Sequence, residues 1–237
     1  MNRRAQELGE ATPPLGLLAR QGGVPARWVP GTEVVIATDA MSAVAEALRT
    51  LRTQLALQWM NQRQVQLLSV VSAVRDEGRS FIAANLAVAF AQLHERTLLI
   101  DMDLRHPRQH RIFGVDNEEG LATLLAGRGS GQGLHRIEGC ESLSLLPAGP
   151  RPTHPQELLA PRALAPVLEQ LRPHFDVIII DTPAFSGSAD AQIVSAQARQ
   201  ALLVSAPGRA TRDETDQMVG ALRQVGVSIA GAAVNRR

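Results

Sequence analysis

The chain has 237 residues, of which 45% are hydrophobic, and a formal net charge of +1. This length suits one main α/β domain with a sizeable core, and the balanced charge provides no broad basic surface, so we expect no nucleic-acid partner. Cys140 is the only cysteine, which excludes an intramolecular disulfide and a cysteine-built metal site within one chain and favours a reducing, cytoplasmic setting.

The first 33 residues mix prolines and glycines with scattered apolar residues, which predicts a flexible or docking arm ahead of a domain at residues 34–237. Charged residues and prolines interrupt the start of the chain. No apolar run approaches the roughly 20 residues of a membrane-spanning helix. We therefore expect neither a membrane anchor nor a signal peptide in this sequence.

A helix is predicted after Ser42, because apolar residues recur there at steps of three and four positions. These apolar residues are Val44, Leu48, Leu51 and Leu55. Three charged residues fall largely on another face of the same helix, and they are Glu46, Arg49 and Arg52. This polar row is either exposed to solvent or part of an interface.

The rest of the chain alternates short aliphatic runs with longer helical stretches. The runs lie at residues 66–72, 97–101, 143–146, 176–181, 201–205 and 228–234. Such alternation predicts βαβ units, and runs without polar alternation are typical of parallel strands that helices cover on both faces. We expect an α/β fold with a doubly wound, mostly parallel sheet, whose ligand lies beyond the carboxyl ends of the strands.

Residues 72–80 join the first of these strands to a helical stretch, in the order of a phosphate-binding P-loop. Backbone N–H groups of such a loop and of the helix N-terminus bind phosphate oxygens, and the Ser80 hydroxyl would ligate Mg²⁺. The match is imperfect, since Ala73 stands where the pattern has its first glycine and Arg79 stands where it has lysine. The loop alone leaves nucleotide binding open.

Three aspartates follow predicted strands. Asp101 and Asp103 end the second strand, and Asp181 closes the strand at residues 176–181, ahead of a Thr-Pro pair as in a Walker B motif. One carboxylate at this edge can hold Mg²⁺ or its bound water, and another can accept a proton from an attacking hydroxyl. The alternative is that each aspartate caps a helix N-terminus. Together with the loop, the aspartates favour a MgATP site.

These motifs together resemble the cytoplasmic domain of bacterial tyrosine kinases, which are P-loop ATPases related to the MinD and ParA proteins. The resemblance spans about residues 45–235. It rests on E-G-R-S at 77–80, A-N-L-A at 84–87, L-I-D-M-D-L-R-H-P at 99–107, D-T-P at 181–183 and E-x-x-R-x-x-R at 46–52. The combination is most similar to the exosortase-linked branch, in which Glu-Gly-Arg-Ser commonly replaces Glu-Gly-Lys-Ser. Arg79 would then be a trait of that branch.

The resemblance implies ATP and Mg²⁺ as cofactors and a role for each site residue. Nucleotide contacts are expected from Arg75, Asp76, Glu77, Gly78, Arg79, Ser80, Phe81 and Asn235. Metal binding is expected from Ser80, Asp101 and Asp181, and catalytic roles from Arg79, Asp101 and Asp103. The resemblance further implies that Glu46, Arg49 and Arg52 join subunits into a homo-oligomeric ring. It also implies a membrane chain-length determinant as the partner, at the inner face of the membrane, in exopolysaccharide synthesis and export.

Two departures from the family limit what the resemblance predicts. The guanidinium of Arg79 keeps the positive charge but is bulkier than an ammonium and differently directed, so binding should survive better than catalytic geometry. Phe81 replaces a residue that usually carries a hydroxyl in the family. The sequence has no tyrosine, so this chain cannot phosphorylate itself on tyrosine, and any tyrosine kinase activity must act on another protein.

Two alternatives stay open. The first is a non-catalytic interaction module that bound nucleotide switches within the same machinery. The second is a positioning ATPase of the ParA or MinD type. Those proteins carry an additional lysine early in the loop, whereas this chain has Val74-Arg75-Asp76 there.

Overall fold

Eight strands form one sheet in the computed structural model, which describes residues 23–60, 65–130 and 132–236. The strands are β1 (Val24–Arg27), β2 (Gln66–Val71), β3 (Thr97–Asp101), β4 (His135–Glu138), β5 (Leu143–Leu146), β6 (Val177–Asp181), β7 (Gln200–Ser205) and β8 (Ser228–Val234). Their order across the sheet is β1-β4-β5-β3-β6-β2-β7-β8. Only the β4–β5 pair is antiparallel among these described strands. The predicted doubly wound, mostly parallel α/β fold is confirmed.

Nine α-helices connect or flank the strands within the described residues. They are α1 (Val35–Thr38), α2 (Ala43–Trp59), α3 (Arg79–Ala91), α4 (Gln109–Phe113), α5 (Leu121–Leu125), α6 (Pro155–Leu158), α7 (Pro161–Leu171), α8 (Asp190–Ala198) and α9 (Arg212–Gln224). A short 3-10 helix, Arg172–His174, follows α7. Across the described ranges, no helix combines the length and the apolar content that crossing a bilayer requires.

Helices cover both faces of the central strands, which explains the unbroken apolar run of β6. Ile179 packs into one core cluster, together with side chains of α2 and α3. Ile178 and Ile180 point to the opposite face and pack with side chains of α7 and α8. All residues of β2, β3 and β6 are buried. An alternating pattern would have placed polar side chains in one of these two cores.

The register of the central strands gathers three predicted site elements at one edge of the sheet. Strand β6 lies between β2 and β3, and Asp181 is the register partner of Asp101 on one side and of Val70 on the other. Because the three strands are parallel, the chain leaves each of them at the same edge. The loop after β2 therefore emerges beside both aspartates.

Strand β1 lies within the segment for which the sequence predicted a flexible or docking arm. Residues 24–27 pair in parallel with β4 at the edge of the sheet, whereas residues 1–22 lie outside the described part of the chain. Pro25 obscured this strand in the sequence, although proline is tolerated on edge strands, where one side of the backbone needs no partner. Strand β4 has four residues, three of them partly or fully exposed, and gave no apolar signal either.

Candidate functional site

The loop between β2 and α3 turns through two residues with positive φ. Asp76 has φ 60° and Gly78, which caps the N-terminus of α3, has φ 95°. A Cβ atom on Gly78 would lie 2.1 Å from Nδ2 of Asn235. Both the backbone conformation and this close approach require glycine at position 78.

A buried carboxylate holds the loop in place from within. Glu77 is 1% exposed, and its two oxygens accept hydrogen bonds from the backbone N–H groups of Val74, at 3.0 Å, and Ala206, at 3.2 Å. Asn235 donates from Nδ2 to the Glu77 carbonyl at 3.1 Å, and its own N–H donates to the Ser205 carbonyl at 2.7 Å. The ends of β7 and β8 therefore support the loop, and both oxygens of the Glu77 carboxylate are used in backbone hydrogen bonds.

Replacing Glu77 with Gln should destabilise the nucleotide-free protein by about 1–3 kcal/mol, the cost of leaving a buried polar group unsatisfied. The amide keeps one acceptor oxygen, but its NH₂ group must face one of the two backbone N–H groups that the carboxylate now receives. Urea denaturation measures the change, and Glu118→Gln, at an exposed carboxylate, is the control. Equal stability of the two variants would contradict the bracing role of Glu77.

Arg79 is folded back onto the loop. Its side chain is nearly buried, Nε donates to the Thr182 carbonyl at 2.9 Å, and Nη1 donates to the Val74 carbonyl at 3.0 Å and to Oγ of Ser72. Nη2 lies 3.8 Å from Oδ2 of Asp103. The guanidinium therefore lies among the predicted site residues and bridges the loop to the segment after β6.

Asp101 and Asp103 use their carboxylates mainly to shape the segment after β3. Oδ1 of Asp101 accepts from the Asp103 N–H at 3.1 Å, and Oδ2 accepts from the N–H groups of Arg108 and Gln109, both at 2.9 Å. Burial raises the pKa of Asp101 well above its usual range, and the neighbouring charge of Asp181 acts in the same direction. Oδ1 of Asp103 accepts from the N–H groups of Arg105, at 3.2 Å, and His106, at 2.8 Å.

Asp181 has the features expected of a carboxylate that supports a cation. It is fully buried, and burial raises its pKa to about 6, although Arg79, Gln109 and Ser80 all act in the opposite direction. Oδ2 accepts from Nε2 of Gln109 at 2.7 Å, whereas Oδ1 finds no hydrogen-bond donor among the described residues. A buried oxygen in this state is costly unless a ligand or water supplies a partner. The site therefore fits Mg²⁺ or its bound water.

The structure separates the remaining predicted nucleotide contacts into exposed and buried side chains. Arg75 and Asp76 are exposed on the loop, and Nη1 of Arg75 lies 3.2 Å from Nε2 of His106. Phe81 packs its ring into the core under α3, which leaves its backbone N–H as the group that could face a phosphate. Ser80 is partly exposed at the first turn of α3, and its side chain acts to lower the pKa of Asp181.

The sequence did not predict two buried amide side chains in this region as site residues. Nε2 of Gln109 donates to the Ser80 carbonyl at 3.0 Å as well as to Asp181. Asn85 of α3 accepts from the Ile36 N–H at 3.1 Å and donates to the Glu33 carbonyl at 2.8 Å. A polar residue inside the otherwise apolar stretch 81–91 of α3 was a visible signal for Asn85. Gln109 stands alone after a proline and an arginine, and no periodicity marks it.

The predicted interface residues lie on α2, where Ser42 caps the helix and accepts from the Ala45 N–H at 3.2 Å. The exposed Glu46 and the partly exposed Arg49 form a pair within the helix, 3.3 Å between Oε2 and Nη1. Arg52 is partly buried and donates from Nη1 to the Ala89 carbonyl of α3 at 3.4 Å. Burial lowers its pKa, as does the neighbouring charge of Arg49. Glu46 and Arg49 are thus open to a partner, whereas Arg52 also contacts its own chain.

Comparisons with known proteins show the family of this chain. A family model described as "ParA: NUBPL iron-transfer P-loop NTPase" matches residues 63–236. The putative tyrosine-protein kinase CapB of Staphylococcus aureus is 31% identical over 195 residues, which cover 82% of this chain and 85% of that protein. Tyrosine-protein kinase etk of Escherichia coli K12 is 34% identical over 202 residues, 85% of this chain but only 28% of the longer relative.

Solved structures show the same relationship in three dimensions. The chimerical protein CapA2B2 superposes with a TM-score of 0.80 at 31% identity, covering 92% of this chain and 93% of that one. The septum site-determining protein MinD of Pyrococcus horikoshii, complexed with Mg-ADP, gives a TM-score of 0.64 at 27% identity, with 73% and 70% covered. The chain therefore belongs to the bacterial tyrosine-protein kinases, within the ParA-like P-loop NTPases.

Proposed function

We propose that this chain binds MgATP and acts as a kinase-like ATPase of exopolysaccharide synthesis and chain-length control, without phosphorylating itself on tyrosine. The observation that carries the proposal is the register pairing of Asp101 with Asp181 beside a glycine-capped phosphate loop. The likeness to CapB and etk supports the kinase class. The absence of tyrosine from the 237 residues supports the restriction to other acceptors.

Different residues of the site are assigned to the phosphates, the Mg²⁺ ion and the adenine. The backbone of residues 74–80 and the guanidinium of Arg79 bind the phosphates, and Ser80 and Asp181 would hold Mg²⁺, with Asp101 assisting through its buried carboxylate. Mg²⁺, when bound, neutralises phosphate charge and orients the γ-phosphoryl group. Asn235, whose amide donates to the Glu77 carbonyl, is the expected neighbour of the adenine.

In the proposed reaction, an oxygen of water or of a tyrosine on another protein forms a bond to the γ-phosphorus. The bond between that phosphorus and the β–γ bridging oxygen breaks, and ADP leaves. Asp103 accepts the proton of the attacking hydroxyl. Asp103 suits this role better than Asp101, because Asp101 is fully buried and accepts three backbone hydrogen bonds, whereas Asp103 is 7% exposed.

Incubation of the purified chain with MgATP and a tyrosine-containing peptide tests the proposal. We expect phosphate transfer to the peptide or release into water, and loss of both in an Asp103→Asn variant that still binds nucleotide. Asp116→Asn, which alters an exposed carboxylate away from the loop, is the matched control. Nucleotide binding by the wild-type chain without transfer or release would overturn the enzymatic proposal.

The second candidate is a non-catalytic module whose conformation bound nucleotide switches. The hydrogen bonds of Arg79 favour it. The Arg79 guanidinium, which should bind the phosphates, already donates hydrogen bonds to Thr182, Val74 and Ser72 of its own chain. A bound nucleotide would have to redirect this side chain or use the backbone alone. Retained binding with a large ligand-dependent change in protease sensitivity, and no phosphate release, is the outcome that this candidate predicts.

The proposed partners follow from the family and from α2. We propose that Glu46, Arg49 and the exposed part of the Arg52 side chain join copies of this chain into a ring. A membrane chain-length determinant would hold that ring at the inner, cytoplasmic face of the membrane. The pair of Glu46 and Arg49 supports this role, since both side chains reach solvent and can exchange their contact within the helix for one with a neighbour.

A further inference from the structure

Gln109, the first residue of α4, contacts three of the residues assigned to the magnesium site. Its backbone N–H donates to Oδ2 of Asp101 at 2.9 Å. Nε2 of its side chain donates to Oδ2 of Asp181 at 2.7 Å and to the Ser80 carbonyl at 3.0 Å. The residue is completely buried. One side chain therefore joins the phosphate loop, the segment after β3 and the end of β6.

The orientation of this amide is fixed by its partners. Both groups that Nε2 contacts are acceptors, a carboxylate oxygen and a backbone carbonyl. A flipped amide would place Oε1 against the same two oxygens and lose both hydrogen bonds. Nε2 must therefore face Asp181 and Ser80, and it uses one proton for each.

Two buried oxygens in this contact have no donor among the residues that the structure describes. They are Oε1 of Gln109 and Oδ1 of Asp181. Two neighbouring buried oxygens without hydrogen bonds are unfavourable unless a ligand or water supplies the donors. Water molecules bound to Mg²⁺ can donate hydrogen bonds to such oxygens, and acceptors that contact the ligands of a metal ion orient those ligands.

We propose that Gln109 is a positioning residue for the magnesium ion, which fixes Asp181 against the backbone of Ser80 and offers Oε1 to metal-bound water. This inference rests on the proposed nucleotide function and assigns within it a residue that acts through Asp181 and Ser80. Gln109 contacts the metal-binding residues, and the phosphate-binding backbone of residues 74–78 makes its own contacts elsewhere. Its loss should therefore weaken the magnesium-dependent part of nucleotide binding selectively.

Replacement of Gln109 by Met tests the proposal, because methionine has a similar length and shape but neither donor nor acceptor strength. A fluorescent ADP analogue is titrated into the nucleotide-free protein in EDTA and again over a series of Mg²⁺ concentrations. We expect binding in EDTA to change less than about twofold and the Mg²⁺ concentration for half-maximal enhancement to rise at least roughly 10-fold. Gln109→Asn should recover part of the loss, since it retains the amide on a shorter side chain.

Gln192→Met is the matched control, since Nε2 of Gln192 donates to the Ala221 carbonyl at 3.0 Å, away from the site. An equal loss of affinity with and without Mg²⁺ in Gln109→Met would overturn the positioning role and indicate a structural one. An unchanged Mg²⁺ requirement would overturn it as well. A wild-type chain that binds the analogue equally with and without Mg²⁺ would refute the magnesium site itself. Absence of phosphate transfer would refute only the proposed enzymatic activity.

Discussion

Replacing Asp181 with Asn should strongly reduce the magnesium dependence of nucleotide binding while stabilising the nucleotide-free protein. Asp181 is fully buried, and one of its oxygens lacks a donor among the described residues, so its charge costs stability until a cation arrives. We expect the enhancement of binding by Mg²⁺ to fall by roughly 10- to 100-fold. The free energy of unfolding of the apo protein at pH 7.5 should rise by about 1–3 kcal/mol, since one pKa unit corresponds to about 1.4 kcal/mol.

The same substitution should change how the stability of the apo protein depends on pH. The pKa of Asp181 is raised to about 6 from 3.8, so between these values the folded state binds more protons than the unfolded state. The contribution of this group is therefore fully present at low pH and decreases as the pH rises through 6. Urea denaturation at a series of pH values should show this decrease in the wild type and a flatter profile in Asp181→Asn. Mg²⁺ binding should show the opposite trend and strengthen as the carboxylate ionises.

Asp176→Asn is the control for the Mg²⁺ measurement, because Asp176 directly precedes the same strand at its other end. Its carboxylate pairs with the exposed Arg96, 2.6 Å between Oδ1 and Nη2, and this contact lowers the pKa of Asp176. Its replacement should leave Mg²⁺ dependence unchanged. If Asp181→Asn lowered apo stability or retained the full effect of Mg²⁺, the carboxylate would be a structural element and not a cation site.

Replacing Gly78 with Ala should weaken nucleotide binding at least ~10-fold. The added Cβ would lie 2.1 Å from Nδ2 of Asn235, and the φ of 95° is unfavourable for any side chain. The strain should cost about 1–3 kcal/mol of stability. Relief of that strain would move the loop backbone and its N–H groups, so we expect nucleotide affinity to fall by at least ~10-fold, which corresponds to about 1.4 kcal/mol. Calorimetric titration with MgADP and urea denaturation measure the two effects.

Two further variants separate the contact from the backbone strain. Gly226→Ala introduces a side chain at φ 78° in the turn before β8, where a Cβ meets nothing within 4 Å. It should lower stability and leave nucleotide affinity unchanged. In an Asn235→Ala background the steric part of the Gly78→Ala effect should disappear, so the two substitutions should be less than additive. Strict additivity would show that Gly78 and Asn235 act independently.

The parts of this protein that sequence predicted well are those in which a single periodicity determines the structure. The apolar runs of β2, β3 and β6 can be buried on both faces only in a parallel sheet, and the end of each such strand is a place for a ligand. Their positions at strand ends therefore predicted that Asp101 and Asp181 lie at one edge of the sheet, where they are register partners. Strands β1 and β4 were missed, because each has four residues, partial exposure and, in β1, a proline.

The details of the site could not be predicted because they depend on contacts between distant segments. Arg79 was expected to face a phosphate, and its hydrogen bonds to Thr182 and Ser72 follow from the placement of β6 beside β2. Glu77 was expected to contact the nucleotide, whereas its carboxylate bonds to Ala206, 129 residues away. Gln109 has no local signal at all. In each case the side chain type was visible, but its partner was determined by the tertiary fold.

The support that Asn235 gives to the phosphate loop has a consequence for protein synthesis. Glu77 and Asn235 are 158 residues apart in the chain, so the loop lacks one of its supports until β8 has been made. At a translation rate of about 5–20 residues per second, that delay is on the order of 10–30 s. During this interval a nascent chain has its loop and its first aspartates but not the complete site. Nucleotide capture should therefore be a late event in biogenesis.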